Sequence, residues 1–260
     1  MTDTFHLAIP QFQSVVIIMF RTAGILAAMP VLGSRTIPPP LKVALVVLVG
    51  LVLTPLLPAM ALPSDPLLVA AGLAGEVMIG LLMGLAVRLL FAALEVAGDV
   101  IGTQMGFSVA HLIDPLSAQQ TPLMASFQTV LATLTFLSLN AHYLMVRSVA
   151  ASFEAIPPFT ARLSGPLAED VLHLTQEMFV IALKLAAPIL ATILIINAMM
   201  AVLGRTVPQL NVFVMSFPLT IAAGMAVMAL ALPYTIGLYE SEFVRLEDRL
   251  EGLLRMLGHG

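Results

Sequence analysis

The chain has 260 residues, of which 60% are hydrophobic and only 10% are charged, and its formal net charge is −4. A soluble domain carries roughly 25% charged residues, so this composition excludes a protein folded in water alone and predicts one surrounded by lipid or apolar partners. The acidic balance speaks against nucleic-acid binding, and the absence of cysteine excludes disulfides and thiolate chemistry.

Six apolar stretches are long enough to form helices of about 20 residues, the length that crosses roughly 30 Å of hydrocarbon. In chain order they are Pro10–Leu32, Val43–Ala61, Pro66–Val96, Leu123–Phe153, Leu167–Leu203 and Val212–Leu238. Together they predict an all-α integral membrane protein with about six helices arranged in hairpins. The N-terminus lacks the basic residues of a cleavable signal, so we expect the first segment to stay in the mature chain.

Prolines interrupt these segments unusually often. A proline inside a helix removes a backbone hydrogen bond that lipid cannot replace, so a neighbouring helix must satisfy the freed group. The three prolines 38–40 predict a stiff turn before the second segment. The prolines within apolar runs are Pro55, Pro58, Pro188, Pro218 and Pro233. They predict kinked helices that pack against protein.

Beyond Tyr239 the sequence becomes charged, and Glu240–Met256 is predicted to form a short amphipathic helix. Its apolar side consists of Phe243, Leu246, Leu250, Leu253 and Leu254. We expect this tail to lie outside the bilayer or to dock on a partner; a plain solvated terminal helix is an equally simple alternative.

The basic residues of the connectors give a contradictory topology. Arg35 and Lys42 in the first connector, and Arg205 in the fifth, place both connectors on the cytoplasmic side. The third connector should then also be cytoplasmic, yet it carries Asp99 and Asp114 and no basic residue. The fourth connector is basic although it should be external. We therefore expect that the central hairpin does not cross the membrane conventionally.

Glycine recurs every four residues at Gly98, Gly102 and Gly106, and again at Gly80 and Gly84. On a helix these glycines share one face and allow the backbone of a neighbouring helix to approach closely. Tight helix packing is the simplest interpretation. The alternative is a yielding element, since glycine lowers the cost of bending.

A polar stretch, His111–Pro122, separates two apolar segments and carries Asp114 as its single carboxylate. Aspartate before Pro115 favours an extended or turn conformation. An ordinary surface loop is the simplest interpretation. The alternative is a loop that hydrogen-bonds within a narrow aqueous lumen through its Ser, Gln and Thr side chains.

Charged residues within apolar helices need a structural or functional reason, because lipid does not solvate them. Arg88, Glu95 and Asp99 occur at i, i+7 and i+11 on the third segment and therefore share a face. A second stripe on the fifth segment consists of Asp170, His173, Glu177 and Lys184. Pairing between helices is the simplest account. The alternatives are a proton or ion relay, or a metal site built from His173 and Glu177.

Enzyme signatures are missing from the sequence: there is no nucleophile elbow, phosphate-binding loop, dinucleotide fingerprint or zinc-protease motif. Asn140 and His142 lie close together within an apolar run and raise the alternative of a membrane acyltransferase. A histidine beside an interfacial tyrosine, here Tyr143, is commonplace. We therefore predict a non-enzymatic protein with no cofactor and no metal.

Two stretches resemble the FliR family, the export-gate proteins of the flagellar type III secretion apparatus. The first joins Gln-Met-Gly at 104–106 and Asp-Pro-Leu-Ser at 114–117 to Ile-Pro-Pro at 156–158. The second and more specific is Gly204–Leu219, which begins Gly-Arg-Thr-Val-Pro-Gln-Leu-Asn. Injectisome relatives share the Asp-Pro-Leu-Ser and Pro-Gln-Leu-Asn patterns. One departure is Thr220, where the family often has a basic residue, so a basic contact from this position is in doubt.

This resemblance implies a hetero-oligomeric gate with FliP-like and FliQ-like subunits. Residues 1–165 would resemble a FliP subunit and the hairpin 166–238 a FliQ subunit, followed by the tail 239–260. Unfolded export substrates would pass through the centre, and an FlhB-like switch protein would contact the cytoplasmic turn 204–211. The implied location is the bacterial inner membrane, in the flagellar basal body.

The resemblance also implies the site residues. The connector 106–122 matches the plug that closes the pore, with Gly106, Phe107, His111, Asp114, Pro115, Leu116, Ser117, Gln119 and Gln120 as plug residues. The partner-contact turn contains Arg205, Pro208, Gln209 and Asn211. The intramembrane charges to be explained are Arg88, Glu95, Asp99, Glu177 and Lys184.

Three alternatives to a flagellar gate subunit stay open on the sequence. They are an injectisome gate subunit of the same family, a secondary transporter driven by ions through Arg88, Glu95, Glu177 and Lys184, and a membrane enzyme. Transporters usually show internal repeats with paired broken helices, and the sequence contains no convincing repeat. A gate subunit should extract poorly without its partners, whereas a transporter should stand alone and bind a solute.

Overall fold

A computed structural model of the chain describes residues 2–30, 32–34, 37–107, 122–160, 166–207, 209 and 211–259. Within these ranges the secondary structure is helical. The α-helices are α1 (Thr2–Ala28), α2 (Pro39–Leu53), α3 (Pro66–Met105), α4 (Leu123–Ser138), α5 (Ala141–Ala155), α6 (Pro166–Thr206) and α7 (Val212–His259). Among the described residues, five helices are long and apolar enough to cross a membrane, or six if α4 and α5 form one broken span. The predicted all-α membrane fold of about six helices is confirmed.

Prolines set both ends of α2. The helix begins at Pro39 rather than at the predicted Val43, because proline fits the first helical positions, where no backbone N–H is needed. A 3-10 turn, Thr54–Leu56, follows the helix, and Leu57 is extended with φ −109° and ψ 152°. The ring of Pro58 disfavours a helical conformation at the preceding residue. The prediction that the second segment continues as a helix to Ala61 was therefore wrong.

The helix α3 continues past the predicted end at Val96 to Met105. The charged residues Glu95 and Asp99 do not end the helix, because a charged side chain leaves the backbone hydrogen bonds of the helix intact. At about 1.5 Å per residue its 40 residues extend roughly 60 Å, twice the thickness of the hydrocarbon core. Part of α3 must therefore lie beyond the lipid core or within protein.

The predicted fourth segment is two helices, so the prediction of one uninterrupted segment was wrong. Asn140 adopts a left-handed conformation with φ 54°, which asparagine tolerates better than most residues. The Leu139 N–H and the Ser138 hydroxyl both donate to the Thr135 carbonyl, which ends α4. Neither α4 nor α5 reaches the roughly 20 residues of a full span.

The C-terminal tail is not a separate helix, because α7 runs without interruption through both Pro218 and Pro233 to His259. Its predicted apolar side is buried: Phe243, Leu246, Leu250, Leu253 and Leu254. Arg147 of α5 forms an ion pair of 3.3 Å with Glu247, and the backbone of Gly258 lies close to the Ala155 carbonyl. The last part of α7 therefore packs on α5.

The chain forms two compact units, each built from separate stretches of sequence. Unit 1 comprises Met1–Leu89, Asn140–Thr175 and Phe243–Gly260, and unit 2 comprises Leu90–Leu139 and Gln176–Glu242. The division into residues 1–165, 166–238 and 239–260, which follows from the family resemblance, stays a prediction.

Unit 1 depends on a close crossing of α1 and α3 at glycines. A Cβ at Gly80 would clash with the Arg21 carbonyl and lie 3.0 Å from the Gly24 Cα, and a Cβ at Gly84 would lie 2.6 Å from the Ala28 Cβ. The tight packing predicted for Gly80 and Gly84 is confirmed. Larger residues at these positions would separate the two helices.

Unit 2 has an apolar core where α3, α4 and α6 meet. Its buried members are Ile101, Met105, Met124, Ala186, Ile189 and Ile193. Val227 and Met228 of α7 pack against this core, as does Phe107 just after α3. The C-terminal end of α3, where the predicted plug begins, is therefore embedded in this apolar core.

Candidate functional site

The helix α3 stops at the first residue of the predicted plug. Gly106 has a φ of +92°, which glycine adopts without steric cost. The Phe107 N–H donates to the Gly102 carbonyl and the Gly106 N–H donates to the Thr103 carbonyl, both at 3.1 Å. These two bonds form a Schellman motif, a common way to end a helix at glycine. Gly106 therefore ends α3 and redirects the chain into the connector 106–122.

The helix α7 holds this end of α3 in place. The Thr220 hydroxyl donates to the Met105 carbonyl at 3.0 Å, and a Cβ at Gly106 would lie 2.7 Å from the ring of Phe217. Thr220 is buried, so a small hydroxyl stands where the family resemblance led us to expect a basic residue. Its bond satisfies a carbonyl that the end of α3 leaves without an intrahelical partner.

The other end of the connector lies against the same part of α3. Pro122 is the N-cap of α4, and the backbone of Ala125 lies so close to Gly98 that a Cβ there would be 2.6 Å from the Ala125 nitrogen. The Met124 side chain contacts Gly102 at ordinary packing distance. Close packing at Gly98 is therefore confirmed, and both ends of the connector are anchored on the last turns of α3.

Most predicted plug residues lie outside the described residues. These are His111, Asp114, Pro115, Leu116, Ser117, Gln119 and Gln120, within 108–121. Of the predicted set, Gly106 and Phe107 are described, and both belong to the anchored start of the connector. Their predicted role in closing a pore stays a prediction.

The predicted partner-contact turn joins α6 to α7. Arg205, Gln209 and Asn211 are exposed, while Pro208 lies outside the described residues. The Asn211 side chain accepts a hydrogen bond of 3.3 Å from the Val214 N–H, so it caps the start of α7. Arg205 lies in the last turn of α6, where a cation is favoured by the helix dipole. Arg205 and Gln209 are therefore exposed polar side chains at the turn, and Asn211 has a local structural role.

The charged residues that the sequence singled out lie on the surface of the chain. Arg88, Glu95 and Asp99 are exposed along α3, and Glu177 and Lys184 are exposed along α6. Pairing between helices, the simplest account of these residues, stays a prediction. Within the described residues the structure buries another pair of opposite charges.

Arg21 of α1 and Glu76 of α3 form a buried ion pair in unit 1. The Arg21 Nε and Nη2 atoms lie 2.7 and 2.6 Å from Glu76 Oε2, and the two side chains are 0% and 1% exposed. The guanidinium also donates to the Ser152 hydroxyl at 2.9 Å and lies over the Phe153 ring, 3.7 Å from its centroid. Its planar fork of donors suits such a multiple contact.

This ion pair also holds the turn that follows α5. Arg21 Nη2 donates to the Ile156 carbonyl at 3.1 Å, and the Phe159 N–H donates to Glu76 Oε1 at 3.2 Å. Phe159 has a positive φ of 64°, and its ring fills the space beside Gly72 where a side chain would otherwise lie. The two charges therefore tie α1, α3 and the Ile-Pro-Pro turn together.

This pair could have been predicted from the sequence, although neither residue belongs to a helical stripe of charges. Arg21 is the one charged residue of the predicted first segment, and Glu76 is the first charge of the third. Opposite charges in separate apolar helices are expected to pair, because each is costly alone. A shared helical face singles out only charges on one helix, and neither Arg21 nor Glu76 belongs to such a stripe.

A second buried polar contact lies in unit 2, where the Tyr239 hydroxyl of α7 donates to the Gln128 side-chain oxygen of α4 at 2.5 Å. We expect Tyr239→Phe to lower the free energy of unfolding by about 1–3 kcal/mol, because the buried amide would lose its donor. Heating followed by size-exclusion chromatography of a fluorescent fusion measures the loss. Tyr234→Phe, at an exposed tyrosine of the same helix, is the control and should have no effect. Equal stability of the two variants would contradict the prediction.

The candidate site and its surroundings contain a connector with both ends held, close helix contacts at glycines, and buried polar contacts between helices. Within the described ranges, no group of three or more His, Asp or Glu side chains is placed to hold a metal ion. The fold and these contacts define a polytopic α-helical membrane protein with an anchored connector between α3 and α4.

Comparison with known proteins places the chain within a family. The family described as bacterial export proteins, family 1, matches residues 12–246. The FliR flagellar biosynthetic proteins of Pectobacterium carotovorum, Escherichia coli K12 and Bacillus subtilis 168 are 32%, 28% and 28% identical to it. These matches cover 91%, 92% and 95% of this chain and 91%, 92% and 96% of the relatives, in the same order. The chain belongs to this export-protein family, and the resemblance to FliR proteins is confirmed.

Proposed function

We propose that the chain is a non-enzymatic structural subunit of the flagellar type III protein export gate in the bacterial inner membrane. In this role it assembles with FliP-like and FliQ-like subunits into a conduit for unfolded export substrates. Membership of the export-protein family and the FliR relatives support this assignment.

The observation that carries the proposal is the length over which helices expose large apolar side chains. On α6 these extend from Leu172 to Val202, 68% and 62% exposed, and on α7 from Val214 to Val244, 58% and 67% exposed. Each interval of 30 residues (202 − 172 and 244 − 214) extends roughly 45 Å. A helix tilted by about 40°, the upper end of observed tilts, leaves the hydrocarbon core after roughly 39 Å. Apolar partner subunits would cover the surface that lipid leaves exposed.

The exposed charges of α3 support the same conclusion. Arg88, Glu95 and Asp99 lie on the surface of the single chain, and lipid would solvate them poorly. Against a partner subunit they can form interchain ion pairs or hydrogen bonds. Glu177 and Lys184 on α6 have the same character, so both stripes are proposed contacts with neighbouring subunits. At the α6–α7 turn, Arg205 and Gln209 are proposed to contact an FlhB-like switch protein.

The assembly itself is tested by co-purification. When the chain is co-expressed with FliP-like and FliQ-like subunits, we expect it to be extracted from membranes as a stable three-component complex, because the partners cover its apolar surface. Expressed alone, it should aggregate on size-exclusion chromatography. A stable, monodisperse single chain in lipid nanodiscs that binds a small solute would contradict a gate subunit and support a transporter.

The connector 106–122 is proposed to act as the plug of the conduit, sealing it through Asp114–Gln120 and moving aside during export. Anchorage of both ends on α3 supports this role, since a loop with two held ends can close a lumen and return to the same position. We expect deletion of Asp114–Gln120 to make cells leak small ions, measured by their sensitivity to monovalent cations and by dye uptake.

The control for this experiment replaces the same seven residues with a Gly-Ser sequence of equal length, which separates loop length from side-chain packing. Assembly with FliP-like and FliQ-like subunits must be verified for each variant by co-purification. Unchanged permeability in a fully assembled deletion variant would contradict the plug while leaving the gate-subunit assignment in place.

A further inference from the structure

An apolar groove lies between α1 and α2 in unit 1. It has a volume of about 370 Å³ and is lined on α1 by residues that include Phe20 and Ala23, and on α2 by Val43 and Val46. This volume lies within the range of about 300–1,000 Å³ typical of ligand pockets. Only 17% of the α2 span is buried inside the chain, so this helix presents most of its surface to its surroundings.

Among the described residues that line this groove, Lys42 carries the charge. Its Nζ atom donates to the Gly33 carbonyl at 2.8 Å. A lysine ammonium has three N–H donors, so two are left for a further acceptor. Lys42 also lies in the first turn of α2, which contains no acidic residue. A cation there meets the positive end of the helix dipole, an unfavourable placement that a bound anion would offset.

We propose that the α1–α2 groove binds an acyl chain of an anionic phospholipid, whose phosphate is held by the Lys42 ammonium. The apolar lining matches a hydrocarbon chain, and the charge of Lys42 is complementary to a phosphate. A zwitterionic lipid would fill the groove with its chain but would offer Lys42 less net negative charge. The sequence places Arg35 in the same connector, and basic pockets between membrane helices on the cytoplasmic side suit anionic headgroups.

The test uses photo-crosslinking in native membranes, where the chain keeps whatever partners it has. Val43, at the groove and 61% exposed, is replaced by p-benzoylphenylalanine; Leu48, on the same helix and 56% exposed but outside the groove lining, is the matched control. Mass spectrometry then measures phosphatidylglycerol adducts relative to phosphatidylethanolamine adducts. At position 43 we expect this ratio to exceed the bulk membrane ratio about fivefold, which corresponds to about 1 kcal/mol for one lysine near anionic lipid. At position 48 it should equal the bulk ratio.

Further variants test whether the enrichment depends on the charge of Lys42 and on the open groove rather than on a change in the fold. Lys42→Gln should return the adduct ratio at position 43 to the bulk value, whereas Lys42→Arg should preserve the enrichment. Ala23→Phe, which fills the groove, should lower the yield of both lipid adducts. A bulk ratio at position 43 with Lys42 intact would overturn the proposal. Adducts to a protein segment instead of lipid would overturn it too, since a partner helix would then occupy the groove.

Discussion

Replacing Glu76 by glutamine is expected to lower the free energy of unfolding by about 3–5 kcal/mol, because Arg21 would remain buried without its counter-charge. Glutamine keeps the size of the side chain and an oxygen for the Phe159 N–H, so the change isolates the loss of charge. Arg21 is fully buried, and within the described part of the chain Glu76 is the carboxylate that it contacts. Heating followed by fluorescence-detected size-exclusion chromatography measures the loss. Faster hydrogen exchange at Ile156 and Phe159 would locate it.

Two further variants test whether the loss of stability comes from leaving a buried charge unpaired rather than from losing any ion pair. Arg147→Met removes an exposed ion pair with Glu247 and should cost at most about 1 kcal/mol, since exposed pairs contribute little. Arg21→Met combined with Glu76→Leu removes both buried charges and should recover much of the loss. Recovery should be incomplete, because the Ile156 carbonyl would lose a donor. If Glu76→Gln proved as stable as Arg147→Met, the buried pair would not stabilise unit 1.

The substitution Gly98→Ala, which adds a single methyl group, is expected to destabilise unit 2 by about 1–3 kcal/mol, the usual range for overpacking a tight contact. The new Cβ would lie 2.6 Å from the Ala125 backbone nitrogen, and a backbone cannot rotate away as a flexible side chain can. The start of α4 would have to shift. Because Pro122, the last residue of the connector, begins α4, the shift would also displace one anchor of the proposed plug.

The same substitution at Gly75 provides a matched control with the opposite expected sign. No atom lies within 4 Å of a Cβ placed at Gly75 in the described structure, and alanine is favoured over glycine in a helix by about 0.8–1.0 kcal/mol. Gly75→Ala should therefore raise the thermal stability of the purified chain, while Gly98→Ala lowers it. A shift in the same direction for both variants would contradict the close packing of α3 against α4.

Helix existence could be predicted from the sequence, but several helix ends could not. Charged residues do not mark helix ends: α3 continues through Glu95 and Asp99, because a charge that has solvent or a partner does not interrupt backbone hydrogen bonding. At α2 the prolines decided both ends, through the fixed φ of Pro39 and the clash of Pro58 with a helical predecessor. The break at Asn140 depends on one left-handed residue, which hydropathy does not record.

Some residues of the candidate site could be predicted from the sequence, but their contacts with distant residues could not. Gly98 and Gly106 could be singled out because their spacing is local, and the structure adds what they contact: the Ala125 backbone and the Phe217 ring. The burial of Thr220 against the Met105 carbonyl could not be predicted, because these residues are 115 positions apart. Contacts between distant residues depend on how one helix is positioned along another, and the spacing within a single helix carries no information about that.

By itself, the amino-acid sequence determined the class of the protein: a chain with so few charges needs an apolar environment, and its long apolar stretches can satisfy their backbone there as helices. It also determined the family, through short motifs around residues 104–117 and 204–219. Only the tertiary structure decided which charges are buried as a pair. Arg21 and Glu76 are 55 residues apart and meet because glycines let α1 and α3 approach. Burial is a property of that packed arrangement, which leaves Arg88, Glu95 and Asp99 on the surface although all five charges lie within apolar helices.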